Sequence, residues 1–153
     1  MPNEVDEKVK LLKRAGAVLD SIIKGLDEVD LETREKIMEY CGEACAREDG
    51  DLEIAKRIAE QAADEDEILE RANKEILWCG PWTRKGSTIQ TTCLKCGCPL
   101  VRSKIVNLTG TFCYCSRGWV KKIFETLLKK NVSVKLDKSI GLGDRVCEFI
   151  VYT

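Results

Sequence analysis

The chain has 153 residues, of which 44% are apolar and 33% charged, with a formal net charge of −1. That composition predicts a soluble globular protein of one ordinary domain or two small ones, long enough to bury a core without staples. Nine cysteines and no histidine exclude Ser-His, Cys-His and His-zinc-water catalysis and leave thiolates, alone or with carboxylates, to ligate any soft metal.

The opening stretch Met1-Pro2-Asn3-Glu4 has no signal-peptide apolar core. No apolar run approaches the roughly 20 residues needed to cross a bilayer. The expectation is a cytoplasmic protein without a membrane partner, where thiols stay reduced; an odd number of cysteines also argues against a complete disulfide framework.

Taken in order, residues 4–25 carry Val5, Val9, Leu12, Ala15, Leu19, Ile22 and Ile23 as a helical stripe that Gly25 can stop. Asp30 can cap a second helix with Leu31, Ile37, Met38, Cys41, Ala44 and Cys45 inward, and Gly50 breaks it. Asp51 can cap a third with Leu52, Ala55, Ile58, Ala59 and Ala62 inward, and a fourth runs from Asp66 to Leu77. Beyond Trp78 the texture changes. Thr88–Thr92, Leu100–Val106 and Phe112–Tyr114 have the character of strands, and Gly118–Lys130 reads as one long helix with lysines outward. Val132–Leu136 and Val146–Tyr152 alternate like the two arms of a hairpin, with Gly141–Asp144 as a turn.

The fold class this implies is α+β, with N-terminal amphipathic helices packed against a C-terminal antiparallel sheet with one long helix. The predicted organisation is an acidic helical segment over 1–77 and a basic, cysteine-rich α+β segment over 78–153, together one compact domain. Residues 1–77 hold 22 Asp+Glu against 12 Lys+Arg, whereas residues 78–153 hold 4 against 13. Such polarity suits packing of the halves on each other, pairing between subunits of a homo-oligomer, or an anionic partner such as nucleic acid.

Six of the cysteines fall between Cys79 and Cys115. Cys93-Leu94-Lys95-Cys96-Gly97 is a turn that points two thiolates at one ion, and Cys113 and Cys115 can complete the tetrahedral four-sulfur set that zinc favours. An iron–sulfur cluster uses the same ligation. Cys98 is a sulfur to spare. Cys41 and Cys45 stack on one helix face and can replace either pair, or serve as small core residues. Trp78-Cys79-Gly80-Pro81-Trp82 looks like a thioredoxin motif whose second cysteine is missing, and without it dithiol exchange has no resolving thiol. Gly80–Ser87 is only superficially like a phosphate loop, and Gly141-Leu142-Gly143 is too short for a dinucleotide site. Arg84, Lys95, Arg102, Arg117, Lys121 and Lys122 with Trp82, Tyr114 and Trp119 have the ingredients of a nucleic-acid surface; solvated cations over core aromatics are the simpler account.

The C-terminal third carries Tyr114, Gly118-Trp119, Phe124-Glu125, the Val132–Leu136 strand, Ser139-Ile140 and Gly143-Asp144-x-x-Cys147-Glu148-Phe149. In these it resembles the 4-vinyl-reductase-like (hydrocarbon-binding) domain and the related aminothiazoline carboxylate hydrolase-like proteins. The Cys-rich centre and the Cys41-Gly42-x-x-Cys45 helix are similar to cysteine-rich prokaryotic members of that group. The resemblance implies an antiparallel sheet on helices, a pocket between them for a small apolar ligand, and Cys147 facing the sheet interior. Members of the group often sense or scaffold rather than catalyse.

These observations lead to a small-molecule-binding protein of sensory or regulatory type. It would carry a structural metal, zinc first, on Cys93, Cys96, Cys113 and Cys115, and no catalytic residue is assigned. The alternatives are a metal- or thiol-dependent redox enzyme, with Cys98, Cys41 or Cys45 as its thiol, and a nucleic-acid-binding protein using the basic half.

Overall fold

A computed structural model describes residues 3–153. Four helices, α1 (Glu4–Leu26), α2 (Leu31–Glu48), α3 (Asp51–Gln61) and α4 (Glu65–Glu75), come first. A hairpin of β1 (Thr83–Lys85) and β2 (Thr88–Cys93) follows, then a single-turn helix α5 (Pro99–Arg102) and the long α6 (Gly110–Leu128). The chain ends with β3 (Ser133–Lys138), a 3₁₀ turn (Ile140–Leu142) and β4 (Cys147–Tyr152). The class is α+β, with one antiparallel sheet in the order β1-β2-β4-β3.

Local chemistry sets the helix starts. Asn3, Asp30, Asp64 and Thr109 each accept a backbone N–H from the first turn of α1, α2, α4 and α6, which satisfies a donor the helix itself leaves orphaned. Gly50, in the left-handed region at φ 87°, takes the place before α3.

The main core spans both halves of the chain. Ala46, Leu52 and Ile58 from α2 and α3, Ile76 just after α4 and Phe124 from α6 meet Ile89 and Phe149 from the sheet. The inward residues of β2 and β4 alternate with outward ones that, Ile150 apart, carry polar groups, and the register sets Ile89 against Val151, Thr91 against Phe149, and Cys93 against Cys147. α6 lies between sheet and α2. There the backbones touch: a Cβ on Gly42 would lie 2.4 Å from the Trp119 nitrogen, and one on Gly118 would lie 2.6 Å from the Glu39 Cα. Ion pairs join the acidic half to the basic one, with Arg117 and Lys121 on Glu39, Lys122 on Glu43, and Arg84 and Lys130 on Glu65.

Four local expectations change, the first on α2, where Leu31, Ile37 and Cys41, expected inward, stay exposed. Leu100–Val106 forms α5 and a turn, because Pro99 sits at the first helical position with φ already suited to it. Phe112–Tyr114 belongs to α6, which starts eight residues before Gly118 because the Thr109 hydroxyl caps it. The stripe of α1 packs only through its second half. Leu19 and Ile23 reach a small second core with Met38, Val106 and Phe112, while Val5, Val9, Leu12 and Ile22 stay exposed. No helix among the described residues is long and apolar enough to cross a membrane.

Candidate functional site

Two groups of thiols flank α6. The first surrounds a cavity of about 10 Å³ at the end of the sheet, lined by Cys93, Cys96, Cys98, Cys113 and Cys147 with Trp78 and Phe149 beside them. That is the room of roughly one water-sized sphere. The β2–β4 register puts Cys93 and Cys147 side by side on the inner face. Cys113 enters from the first turns of α6, and Cys96 from the loop after β2.

Cys113 is the acidic thiol of this group. The Cys147 thiol donates toward its sulfur, the Ser139 hydroxyl and the Gly141 backbone N–H add to this, and together they outweigh burial and draw its pKa down from 9.0 to about 6. Cys147 is held protonated, its pKa raised first by that same bond and then by burial. The Ile140 N–H donates to the Cys147 sulfur at 3.3 Å. Ser139 is 1% exposed, and its hydroxyl has no other partner among the described residues. Burial also pushes the Cys96 thiol up.

The second group lines a recess of about 450 Å³ between α1, α2, α5 and α6. Its walls carry Leu19, Met38, Leu100 and Phe112 together with Cys41, Cys45, Cys98 and Cys115. Burial pushes the Cys45 thiol up to about 11, with Asp49 and then Cys98 adding to the rise. Cys115 is raised further, again first by burial, then by Cys45 and Cys41. Asp49, in the wall of the recess, accepts the Trp119 indole N–H at 3.0 Å.

The four expected metal ligands therefore divide. Cys93, Cys96 and Cys113 line the inner cavity, and Cys115 lines the recess. On a strand, residues i and i+2 share a face; on a helix they point roughly 200° apart. Since Cys113 and Cys115 sit on α6, they face opposite ways. Cys93 is moreover joined to Cys79 in a disulfide, with Cα atoms 4.9 Å apart, and in that form it offers no thiolate. Two bonds, from the Gly80 N–H to Thr92 O and from the Thr91 hydroxyl to Gly80 O, lay Cys79 alongside the end of β2. Among the described residues no three Cys, Asp or Glu side chains already converge as a metal site.

The tryptophans go to the core. Trp78 packs on Trp119 and Phe149, with ring centres 4.8 and 5.2 Å apart, and Asn73 grips the Trp82 backbone through two 2.8 Å bonds. With Trp82 and Trp119 both 4% exposed, neither is a surface on which a base can stack. Cys147 had a visible signal, since the alternation Cys147, Phe149, Val151 turns it inward; Ser139 had none beyond its place in the resemblance. Nothing local marked Met38 and Phe112 as walls of the recess.

A family model described as a family of unknown function (DUF6144) matches residues 4–152. The chain belongs to DUF6144. No curated protein matches this DUF6144 chain. Among solved structures, it is similar to the phenol-responsive sensory domain of the transcription activator PoxR with phenol, at a TM-score of 0.54 and 14% identity, covering 92% of this chain and 73% of that one. At that identity the likeness is one of fold.

Proposed function

We propose that this DUF6144 protein is a small-molecule-binding domain of sensory or regulatory type, with its ligand in the recess between α1, α2, α5 and α6. The observation that carries the reading is the recess itself. It is walled largely by apolar side chains and, among the described residues, by no lysine or arginine. Cavities of ~300–1,000 Å³ with such walls are where small ligands bind. The fold likeness to a domain that senses phenol, and the C-terminal resemblance to the hydrocarbon-binding group, support the same reading.

A cysteine-ligated structural metal, zinc first, belongs to this proposal. The residues that fit are Cys96, Cys113 and Cys147, with Cys93 once freed from Cys79. The buried Ser139 hydroxyl, with Cys113 as its one polar neighbour among the described residues, favours the thiolate form that a metal needs. Bound zinc would supply a closed structural crosslink between the sheet, the loop after β2 and α6.

Two measurements test the reading. Titration of phenol and related neutral aromatics, read by calorimetry, is expected to saturate, and Ala44→Trp, which fills the recess, is expected to abolish it. Absence of any saturable binding in the unaltered chain overturns the ligand site. Metal analysis of protein purified without oxygen is expected to give about one zinc per chain, lost in Cys113→Ser and Cys147→Ser and kept in Cys115→Ser. Iron with sulfide replaces zinc by a cluster, and no metal removes the crosslink from the proposal.

A further inference from the structure

An apolar ligand accounts for Leu19, Leu100 and Phe112 in the recess. It does not account for the sulfur. Five of the twelve residues that line the recess are Met38, Cys41, Cys45, Cys98 and Cys115. The charged ones are Glu48 and Asp49, both acidic. An anionic ligand finds nothing to pair with there, whereas the two carboxylates, Asp49 also bonded to Trp119 and to the Asp51 N–H, set a field that suits a cation.

Three elements bring the sulfurs together. Cys41 and Cys45 are four apart on α2, so they lie one above the other on a single face. Cys115 projects from the face of α6 that α2 covers, and the contact at Gly42 is so close that an added Cβ would lie 2.2 Å from the Cys115 carbonyl oxygen. Cys98 arrives from the opposite wall, immediately before Pro99 at the start of α5. Thiolate and thioether groups select soft cations, copper(I) foremost, whereas oxygen-rich sets select hard ones.

We infer that the recess is a second thiolate site, which borders the inner cavity at Cys98 and Phe112, and that it takes a soft thiophilic cation of the copper(I) type on Cys41, Cys45, Cys115 and Cys98, with Met38 alongside. The inference rests on the reading of the recess as a ligand site and adds a soft cation to the apolar molecules it takes. Each thiol that ligates gives its proton to solvent as its sulfur–copper bond forms. Copper stays in the +1 state throughout, and no cysteine is oxidised. The sulfurs are not yet converged, so the cation gathers them by rotation about χ1, the one torsion that moves a cysteine sulfur. Glu48 and Asp49 favour entry of a cation and oppose entry of an anion.

The test uses the full chain, reduced and without oxygen, titrated with copper(I) against a chromogenic copper(I) chelator, with zinc content followed in parallel. About one copper per chain is expected to be retained without loss of zinc. Iodoacetamide mapping by mass spectrometry is expected to show Cys41, Cys45, Cys98 and Cys115 protected by copper, with Cys113 and Cys147 unchanged; this readout needs no variant. In C41S/C45S the affinity is expected to fall by roughly 100-fold or more, since even supporting residues of metal sites cost 10–100-fold, while zinc stays. Copper that displaces zinc, protection that falls on Cys113 and Cys147, or equal affinity in C41S/C45S overturns the inference. Saturable aromatic binding with no copper retained overturns the inference alone; loss of both overturns the ligand site as well.

Discussion

Cys113 and Cys115 are two residues apart on α6, yet one is held ionised near neutrality and the other is held protonated. Cys113 looks into the inner cavity, where Cys147, Ser139 and the Gly141 N–H all donate toward its sulfur and draw its pKa to about 6. Cys115 looks into the recess, where burial raises its thiol and the neighbouring Cys45 and Cys41 oppose any charge. Both are largely buried, so burial alone does not separate them. The difference is the supply of hydrogen-bond donors, which stabilises a thiolate where desolvation would otherwise suppress it. One side of the helix is equipped for a charge already present; the other stays neutral until something brings a positive charge in.

The largest expected effect breaks the inner side. Phe149 is 2% exposed, packs on Trp78 and with it lines the cysteine cavity. Phe149→Ala is expected to cost about 3–5 kcal/mol, in line with aromatic deletions from packed cores, as measured by urea unfolding. In Gly42→Val the added side chain meets α6 backbone atoms that cannot yield. It is expected to cost about 3 kcal/mol, the upper part of the range for overpacking, and to speed alkylation of Cys115 far more than that of Cys113.

Titration of the metal-free protein sharpens the contrast without removing either residue. Between about pH 6 and pH 9 the unfolded chain keeps a proton on Cys113 that the folded chain has lost, so unfolding free energy is expected to rise with pH over that window. Above about pH 9 the sign reverses: unfolded Cys45 and Cys115 ionise while their folded counterparts resist, Cys45 until about 11. A stability curve that is flat from pH 6 to 9 would remove the thiolate from the inner cavity. Cys147→Ala takes away the first of the donors and is expected to move the Cys113 midpoint, followed by thiolate absorbance, back toward 9.0.

The smallest expected effect concerns the charged seam. Glu39 accepts from Arg117 at 3.1 Å and from Lys121 at 3.2 Å, and these groups are half-buried. Glu39→Gln is expected to cost about 1 kcal/mol, near the upper end for partly exposed pairs, and the cost is expected to shrink in high salt.

Much of the fold was legible because it is local. The apolar spacing of Leu52, Ala55, Ile58 and Ala59 announced α3, Asp30 announced the start of α2, and the alternation after Val146 announced β4. The site was legible only in part. A cysteine is small and apolar enough to suit either a helix face or a strand, so Cys113-Tyr114-Cys115 read equally well as extended chain. The short β1 escaped notice too, because Thr83–Lys85 has no apolar alternation to reveal it.

What the sequence determined by itself was the chemistry available. With nine cysteines and no histidine, any soft cation must be met by sulfur, and the periodicities fixed an α+β chain with a closing hairpin. What only the tertiary structure decided was which sulfurs meet. The Thr109 cap extends α6 back through Cys113 and so turns Cys113 and Cys115 to opposite sides. The β2–β4 register brings Cys93 to Cys147 across more than fifty residues of chain, and the Gly42–Gly118 contact brings α2 with Cys41 and Cys45 onto Cys115. Periodicity and capping act within a few residues of one another, whereas a shared site depends on packing between segments far apart in the chain, which no local pattern encodes.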